Sequence, residues 1–585
     1  MTQESPPLDA TATRELTALD TTALNPRHRA WSLGRMACEV FDVVVVGGGV
    51  TGTGAALDAV TRGLSVALIE ARDYAAGASS KSSKLIHGGL RYLEMLDFGL
   101  VREALRERRL LLTELAPHLV RPVPFLWPLT HRGWERPYVG AGLLLYDSMG
   151  GRRAVPRARH LSRRKALRLA PALKRKALVG AVQFYDAQED DARMVACLAR
   201  TAADQGAAMA TNVRMDGLLT EAGRVTGVTG RDVLEGGELT IRARHVVLAT
   251  GAWSVTAGQD GDDARPRVRP SKGVHIVVPR RRIQMNTGLL ARTDKSVLFV
   301  IPWGEHWIIG DTDTEWQHDP GRPAANRADI DYLLAKVNTM LRRPLTHADI
   351  EGVFAGLRPL VAAPKARDTT RLSREHSVSS VAPGLTAIAG GKFTTYRVMA
   401  RDLIDAAARD LPRPVPPSRT DTVPLLGAAG YREKWAGRQQ LAETSGLPVA
   451  EIERLLGRYG SCVDDLLRLI RKRPELGRPV EGSGGYLAAE IVYACTHEGA
   501  VRLEDVLARR TRTAIEVRDR GLAAAPHAAA LMAPRLGWNE ARASQEVARY
   551  RDAVAADRAG QAEPDDLRAY QAHAAVPDPV PFYGG

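Results

Sequence analysis

Short apolar runs alternate with amphipathic segments through the first 400 residues, a pattern typical of α/β proteins. Phe41 to Val46 is rich in Val, as expected for a strand buried on both faces of a sheet. A helix is predicted from Val50 to Arg62, and a second strand from Ser65 to Ile69. Further buried strands are predicted at 245–251 and 384–389. The pattern predicts one sheet to which the chain returns twice.

The turn after the first strand has the spacing G-x-G-x-x-G. Gly47 permits the tight turn, Gly49 lets the backbone approach a pyrophosphate, and Gly52 allows close packing of helix on strand. The helix N-terminus offers unpaired N–H groups to phosphates. Glu70 ends the second strand, where an acid can accept hydrogen bonds from a ribose 2′-OH. This stretch predicts a dinucleotide site.

Hydroxyl and small side chains follow the second strand, where they can surround the phosphates and ring of a cofactor. The candidates for this role are Ser79, Ser80, Ser82, Ser83 and Lys84. His87, Arg91 and Tyr92 lie beside Gly88 and Gly89, which indicates a place where a ligand approaches closely. An ordinary Ser-rich helix cap remains the alternative for any single serine.

Other candidate residues come from later elements. A helix predicted from Asp190 to about Gln205 leads to a strand at 208–213, whose Val213 can contact an adenine through its backbone. Two strand ends and a helix start supply further cofactor candidates, namely Thr250, Gly251, Gly391, Lys392 and Thr394. A helix N-terminus after Gly391 again favours a negatively charged or carbonyl-bearing group.

Residues 270–358 have a more alternating pattern and no βαβ units. Strands are predicted there at 272–278, 296–302 and 306–309. They indicate an inserted antiparallel domain that covers a substrate. His275 lies in the first of these strands, where a histidine is more often a packed core residue than a catalytic one. We expect this cap mainly at about 100–190 and 270–358.

The rest of the first cap segment differs in composition. A helix is predicted from Phe98 to Leu119 and irregular structure from Pro122 to Pro137. Basic residues recur from Arg152 to Lys176, with no acidic residue between Asp147 and Asp186. A solvated basic face and a surface for anionic lipid both account for this segment. Trp127, Trp134 and Tyr138, shortly before it, suit a membrane interface.

Length, charge and cysteine content limit the alternatives. A chain of 585 residues is too long for one core and is expected to hold two or three domains. We divide it into an N-terminal extension (1–39, partly disordered, with a helix at about 26–37), a cofactor domain with its cap (40–410), a linker (411–430) and a helical domain (431–585), which carries no chemical cluster. Four scattered cysteines predict neither a metal site nor a disulfide framework, and indicate a reducing compartment.

The net charge of +14 predicts an acidic partner, which can be a phosphorylated substrate, an anionic membrane or nucleic acid. Nucleic acid is disfavoured because no binding module accompanies the charge. The sequence has neither a signal pattern nor an apolar run of about 20 residues, so we expect no spanning segment.

Seven motifs occur in order along the chain: GGGVTGTGAALDAVTRGLSVALIE, SSKSSKLIHGGLRYLE, KGVHIVVP, FVIPWG, IIGDTDTEW, GLRPL and AGGKFTTYR. Together they resemble the flavin-dependent, respiratory glycerol-3-phosphate dehydrogenases, and the resemblance runs from about Phe41 to Tyr396. EGAVRLEDVLARRTR, at 498–512, is similar to the helical C-terminal domain of that family. Asp311 departs from the pattern, because relatives more often have an uncharged residue there.

The resemblance implies an α/β fold: an FAD-binding, Rossmann-like, doubly wound domain with an inserted antiparallel β substrate cap and a C-terminal α-helical domain. It also implies non-covalent FAD and oxidation of sn-glycerol 3-phosphate to dihydroxyacetone phosphate. Hydride would pass from C2 to flavin N5, and electrons to a membrane quinone. We then expect a cytoplasmic protein, peripheral on the inner face of the cell membrane, with a homodimer as one possible state.

Site residues follow from the resemblance and from the chemistry of the substrate. A phosphate dianion needs cationic donors, for which the candidates are Arg91, Arg358, Arg374 and Lys392. Tyr92 and Thr394 would complete the pocket. His87 or His275 is the candidate proton acceptor, and Arg358 or Lys392 can stabilise developing negative charge. Structural roles for either histidine remain open.

Three other functions are consistent with parts of the sequence. An amine or amino-acid oxidase of the same fold would need one arginine for a carboxylate, not several cations. A nicotinamide dehydrogenase fits less well, since a single dinucleotide motif with two later returns to the sheet favours FAD. A non-enzymatic basic protein that binds lipid or nucleic acid would contain no flavin.

Overall fold

The computed structural model describes residues 22–89, 97–131, 133–149, 154–258, 268–292, 297–361 and 375–578. Within these ranges the strands form two sheets, numbered here along the chain. The first sheet contains β1 (Val40–Val46), β2 (Val66–Glu70), β7 (Ala208–Thr211), β8 (Val213–Glu221), β9 (Arg224–Asp232), β10 (Glu238–Leu248), β17 (His376–Ala382) and β18 (Leu385–Gly390).

The first sheet is organised around β1, which pairs in parallel with β2 on one side and with β10 on the other. β18 pairs in parallel with β10, and β7 with β2, so the strands predicted at 245–251 and 384–389 are confirmed as members of this sheet. The strand predicted at 208–213 is instead two strands. Asn212 between them has φ +56°, which takes the chain out of the extended conformation.

The second sheet receives strands from two separate parts of the chain. It contains β3 (Leu85–Ile86), β4 (Arg121–Leu129), β5 (Arg159–Ser162), β6 (Gly180–Gln188), β11 (Val268–Pro279), β12 (Gly288–Arg292), β13 (Val297–Trp303), β14 (His306–Gly310), β15 (Thr314–Glu315) and β16 (Gly352–Val361). Its described pairs are antiparallel except for β12 with β4. The antiparallel character predicted for 270–358 is thus confirmed.

The irregular structure predicted from Pro122 to Pro137 is wrong at both ends, because β4 pairs with β6 along its full length and a helix begins at Glu135. Pro122, Pro124 and Pro128 occupy alternate positions, so their missing N–H groups face one edge of the strand. The Pro124 carbonyl accepts from the Thr287 hydroxyl and identifies that edge as the one towards β12. The missing N–H groups therefore affect the edge towards β12, which pairs with β4 at only two positions. The ladder between β4 and β6, on the other edge, stays intact.

The helices surround both sheets and make up most of the chain after residue 430. They are α1 (Pro26–Cys38), α2 (Val50–Thr61), α3 (Phe98–Leu110), α4 (Glu135–Met149), α5 (Arg163–Leu169), α6 (Asp191–Asp204), α7 (Arg327–Asn338), α8 (Tyr396–Ala408), α9 (Tyr431–Ala436), α10 (Arg438–Ser445), α11 (Val449–Tyr459), α12 (Val463–Lys472), α13 (Ala488–His497), α14 (Thr513–Glu516), α15 (Ala525–Leu536), α16 (Glu540–Ala562) and α17 (Asp566–Ala574).

Helix α2 packs between α6 and α8 on one face of the first sheet. The contact is close because α2 is rich in Ala and Gly, and an ideal Cβ on Gly54 would lie 3.0 Å from the Tyr396 ring. Helix α1, predicted from the sequence and confirmed, is capped by the Asn25 side chain and contacts β7 and β10. The glycine turn is therefore held between two packed layers.

Buried ion pairs join the C-terminal helices to the first sheet. Asp73, just after β2, accepts hydrogen bonds from Arg509 Nε at 2.6 Å and from Arg510 Nη1 and Nη2 at 2.8 and 2.6 Å. Arg193 of α6 pairs with Glu498 at 2.5 Å. Burial alone would raise the pKa of Asp73, but Arg510 and Arg509 hold it below its usual value.

The last described residues form a strap, defined here as 566–578, that touches both sheets. Lys272 of β11 is fully buried and pairs with Asp566 of the strap as well as with Asp329. The Tyr570 ring stacks on His318 at 5.0 Å between centroids. At its end, Asp578 pairs with Arg72 beside β2 at 2.5 Å. The strap thus bridges the two sheets.

We predict that Asp73→Ala lowers the free energy of unfolding by about 3–5 kcal/mol, because it removes the carboxylate that pairs with the buried guanidinium of Arg510 and one of the three carboxylates that pair with Arg509. Urea denaturation followed by tryptophan fluorescence measures the effect. Glu39→Ala is the matched control, since it breaks the exposed Arg35–Glu39 pair and should cost less than about 1 kcal/mol. Equal losses in the two variants would contradict a role for Asp73 in joining the domains.

Candidate active site

A cavity of about 710 Å³ lies where the two sheets meet. The carboxyl ends of β1, β2, β10 and β18 contribute to one side of it, and β11, β13 and β16 to the other. In open α/β sheets, ligands bind outside the carboxyl ends of the strands. The predicted residues on its wall are Gly47, Gly49, Glu70, Ser79, Ser82, Ser83, His87, Val213, Thr250, Gly251, His275, Arg358, Gly391, Lys392 and Thr394.

The glycine turn has no space for side chains at two of its positions. Gly47 has φ +115°, and an ideal Cβ there would lie 2.5 Å from the Ala249 carbonyl oxygen. A Cβ on Gly52 would lie 1.9 Å from the Gly47 oxygen, so the start of α2 touches the turn directly, as predicted for helix–strand packing. At Gly49 the nearest atom is Ser79 Oγ, at 3.1 Å. Gly49 is one of the residues that line the cavity.

Glu70 lies at the end of β2 with its carboxylate folded back onto the turn. Oε2 accepts from the Gly48 N–H at 2.6 Å, and Oε1 accepts from the Arg72 N–H at 2.7 Å. Burial raises the pKa of this carboxyl. Each oxygen keeps a second lone pair, so the predicted hydrogen bonds to a ribose remain compatible with these contacts.

The serine-rich segment divides into residues on the cavity and residues behind it. Ser79 Oγ accepts from the Val50 N–H at 3.0 Å, and Ser82 and Ser83 also line the cavity. Ser80 and Lys84, also predicted to contact the cofactor, are not among the residues that line the cavity. Lys84 Nζ is fully buried and donates to Asp191 at 2.6 Å, because a buried ammonium requires a counter-ion.

Three predicted site residues, Arg91, Tyr92 and Arg374, lie outside the described residues. His87, which is close in sequence to Arg91 and Tyr92, is described. Its N–H donates to Thr394 Oγ1 at 3.1 Å. The next residue, Gly88, donates its N–H to the Tyr146 hydroxyl at 2.7 Å, and Tyr146 donates to Asp186 at 2.8 Å. Sequence analysis missed Tyr146 and Asp186, since their distance along the chain gave no sign of this contact.

His275 is packed against the floor of the cavity. Its ring stacks on Phe354 with 4.8 Å between centroids, and Nε2 lies 2.9 Å from Ser83 Oγ. Gly310 faces it on β14, where an ideal Cβ would lie 2.2 Å from His275 Cδ2. Burial lowers the pKa of His275 to about 4, so the imidazole is neutral at physiological pH.

Arg358 of β16 presents its guanidinium to the same cavity. It donates to the Thr312 carbonyl at 3.2 Å and to Ser271 Oγ at 3.3 Å, and it pairs with Asp311. Sequence analysis noted Asp311 as a departure from the family pattern but gave it no partner. Pairing across three strands depends on register, which the sequence did not reveal.

The cavity combines three chemical capabilities. The glycine turn and the N-terminus of α2 suit a pyrophosphate. Arg358 and Lys392 suit an anion of two charges, because charge-assisted hydrogen bonds are stronger than neutral ones. A neutral imidazole at His275 suits removal of a proton. These residues come from both sheets and enclose one space.

Comparison with known proteins agrees with this arrangement. Residues 42–406 match the family model described as FAD dependent oxidoreductase, and residues 418–543 match the C-terminal domain of alpha-glycerophosphate oxidase. Glycerol-3-phosphate dehydrogenase of Mycobacterium leprae is 53% identical over 560 residues, with 95% of both chains covered. The mitochondrial glycerol-3-phosphate dehydrogenase of Rattus norvegicus is 38% identical over 87% of this chain and 72% of its own.

Solved structures give the same result. The glycerol-3-phosphate dehydrogenase from Bacillus halodurans complexed with FAD superposes with a TM-score of 0.74 and 28% identity, over 91% of this chain and 98% of that one. The resemblance and fold class predicted from the motifs are confirmed, and the alternatives of a nicotinamide dehydrogenase and a non-enzymatic basic protein are wrong. The chain belongs to the family of FAD-dependent glycerol-3-phosphate dehydrogenases.

Proposed function

We propose that this protein oxidises sn-glycerol 3-phosphate to dihydroxyacetone phosphate and passes the electrons to a membrane quinone. The observation that carries the proposal is the position of Arg358 in the same cavity as the glycine turn. A phosphorylated substrate bound by Arg358 would share this space with the cofactor. The names of the relatives from Mycobacterium leprae and Rattus norvegicus support the substrate.

The residues of the cavity fit FAD, the expected and confirmed cofactor of the family. Gly49 leaves the backbone open to a pyrophosphate, and a side chain at Gly47 or Gly52 would collide with backbone atoms. Glu70, which would accept hydrogen bonds from the adenosine ribose, and residues 391–394 all line the cavity. Bound there, FAD supplies the acceptor for the hydride from C2 of the substrate.

Arg358 and Lys392 would hold the phosphate, and Thr394 would complete the pocket beside them. The Thr394 hydroxyl also fixes the backbone of His87, because it contacts both the N–H and the carbonyl of that residue. Cations on the wall offset the charge of the phosphate and of the alkoxide that develops at C2. Arg91 and Arg374 remain predicted members of this group.

His275 is the favoured proton acceptor for the C2 hydroxyl. Ser83 Oγ lies 2.9 Å from Nε2 and both residues line the cavity, so the hydroxyl of Ser83 can pass the proton to the ring. Stacking on Phe354 and the hydrogen bond with Ser83 fix the orientation of the imidazole. His87 is the second candidate, since its side chain also lines the cavity.

A surface outside the cavity is suited to an anionic membrane. Trp134 and Tyr138, at the start of α4, are 57% and 52% exposed, and Leu145 is 41% exposed. Trp127, also predicted for this role, is buried and lines the cavity instead. Aromatic side chains with an apolar body and a polar tip favour the lipid–water interface.

Exposed cations lie next to this helix. An ideal Cβ on Gly140 of α4 would lie 2.5 Å from the His160 ring, so α4 packs directly on β5. The exposed basic residues of this region are Arg157, Arg159, Arg163, Arg164, Lys165, Arg168, Arg175 and Lys176. Within the described ranges, none of the helices combines the length and apolarity needed to cross a bilayer. Aromatics and cations together support a peripheral position on the cytoplasmic face.

Arg358→Gln tests the substrate. We expect kcat/KM for glycerol 3-phosphate to fall about 10- to 100-fold relative to kcat/KM for glycerol, which lacks the phosphate. Anaerobic bleaching of the flavin absorbance gives the rate of reduction by each substrate. Arg269→Gln is the matched control, because it removes a cation of β11 that pairs with Glu315 outside the cavity. Equal losses for both substrates would mean that Arg358 supports the flavin or the fold.

His275→Gln is expected to lower kcat about 100-fold or more while FAD content stays unchanged. Only neutral imidazole accepts a proton, and burial holds the pKa of His275 at about 4, so wild-type activity should decline only as the pH falls towards that value. Glycerol is the substrate of choice for this profile, because it adds no ionisation of its own. A larger loss of kcat in His87→Gln than in His275→Gln, with FAD content unchanged in both, would assign the proton to His87.

Replacing Arg163, Arg164 and Lys165 with Glu is expected to release the protein from vesicles that contain phosphatidylglycerol. Each cation near an anionic surface contributes about 1 kcal/mol, and salt screens the attraction. Sedimentation measures binding, and a soluble dye and a quinone serve as alternative acceptors. The matched control changes Arg471, Lys472 and Arg473 to Glu on the C-terminal helices, which are equally exposed. Release by the control alone would place the membrane face there.

A further inference from the structure

The arginine proposed to bind phosphate already has a carboxylate partner. Arg358 Nη2 donates to Asp311 Oδ2, and both side chains line the cavity. Their side chains are 21% and 19% exposed, so the pair lies at the cavity wall, within reach of a ligand. A ligand that binds Arg358 must share its N–H groups with Asp311 or replace it.

Arg358 has contacts other than Asp311 that hold its guanidinium in position. Both Nη1 and Nη2 donate to the Thr312 carbonyl at 3.2 Å, and Nη1 donates to Ser271 Oγ at 3.3 Å. The guanidinium also packs closely against Gly273, where an ideal Cβ would be 2.5 Å from Nη2. These contacts with residues of the second sheet hold the guanidinium in place. Asp311 adds the negative charge that pairs with it.

A phosphate and a carboxylate compete for the same donors. The guanidinium cannot lose its charge, and a planar fork of N–H groups binds either anion in the same geometry. Because the pair lies on the cavity wall, a dianion in the cavity can reach the guanidinium and displace the carboxylate. The exchange needs no movement of Arg358 itself.

We propose that Asp311 is an internal counter-ion that competes with the phosphate of the ligand for Arg358. The proposal rests on the function proposed above. Competition weakens the binding of substrate and product alike, because both carry the phosphate. Asp311 therefore raises KM and, by taking Arg358 back, favours release of the phosphorylated product.

A double-mutant cycle on the FAD-loaded protein tests this competition. The dissociation constant of inorganic phosphate is measured from the change in flavin absorbance in wild type, Asp311→Asn, Arg358→Gln and the double variant. Asp311→Asn is expected to bind phosphate about fivefold more tightly and to be inhibited more strongly by dihydroxyacetone phosphate. In the Arg358→Gln background the same change is expected to have no effect, because the shared donor is absent.

Two results would overturn the proposal. Weaker or unchanged phosphate binding in Asp311→Asn would show that Asp311 positions Arg358 or is irrelevant to it. An equal gain in the Arg358→Gln background would show simple charge repulsion. Asp311→Ala repeats the measurement with a second uncharged residue, and Glu315→Gln, which removes a carboxylate outside the cavity, should match wild type.

The proposed function is tested separately, by reduction of the wild-type flavin with glycerol 3-phosphate. If that reduction fails, the substrate assignment is wrong whatever the cycle gives. If it succeeds and the cycle shows no coupling between Asp311 and Arg358, only the counter-ion is wrong.

Discussion

No side chain can be placed between the start of α2 and the strands beneath it. The Gly47 carbonyl lies where a Cβ of Gly52 would stand, and the Ala249 carbonyl lies where a Cβ of Gly47 would stand. This backbone contact brings three elements together at the carboxyl ends of β1 and β10 and directs the N-terminus of α2 into the cavity. The hydrogen bonds of Glu70 to Gly48 and of Ser79 to Val50 are made on this frame.

A second constraint is the burial of charge around the serine-rich segment. Asp191 accepts from the N–H and the hydroxyl of Ser82, and it pairs with Lys84 and with Arg512 of the C-terminal domain. A buried pair adds little net stability, but separating its members is costly. The C-terminal helices therefore fix a cavity residue through a single intermediate, although they contribute no residue to the cavity wall among those described.

Periodicity and the glycine motif predicted the elements that form the first sheet, because parallel buried strands and their turns leave strong local signals. The prolines of β4 misled the prediction, since only the pairing of neighbouring strands shows which edge their missing N–H groups face. Lys84 was assigned to the cofactor because its neighbours suggested it. Its counter-ion, Asp191, is 107 residues away along the chain, and such distant partners are invisible to local patterns.

Contacts such as Tyr146 with Gly88, or Asp311 with Arg358, were missed for the same reason. The motif residues themselves lie mostly on the cavity wall, because motifs of this kind are short and their members are close in space as well as in sequence. The single-residue departure in IIGDTD was visible in the sequence. Its meaning depended on the register between β11, β14 and β16.

The partners of Lys272 have a consequence for biosynthesis. Lys272 is fully buried in β11, and one of its two carboxylates, Asp566, follows it by 294 residues. On the ribosome, the second sheet is made long before the strap that neutralises this ammonium. N-terminal regions generally fold first during synthesis. Until the strap has been made, the Lys272 ammonium in the second sheet can therefore pair with Asp329 but not with Asp566. Full charge compensation at this position thus requires synthesis to have passed Asp566, and a chain that stops earlier would leave Lys272 with Asp329 but without its second carboxylate.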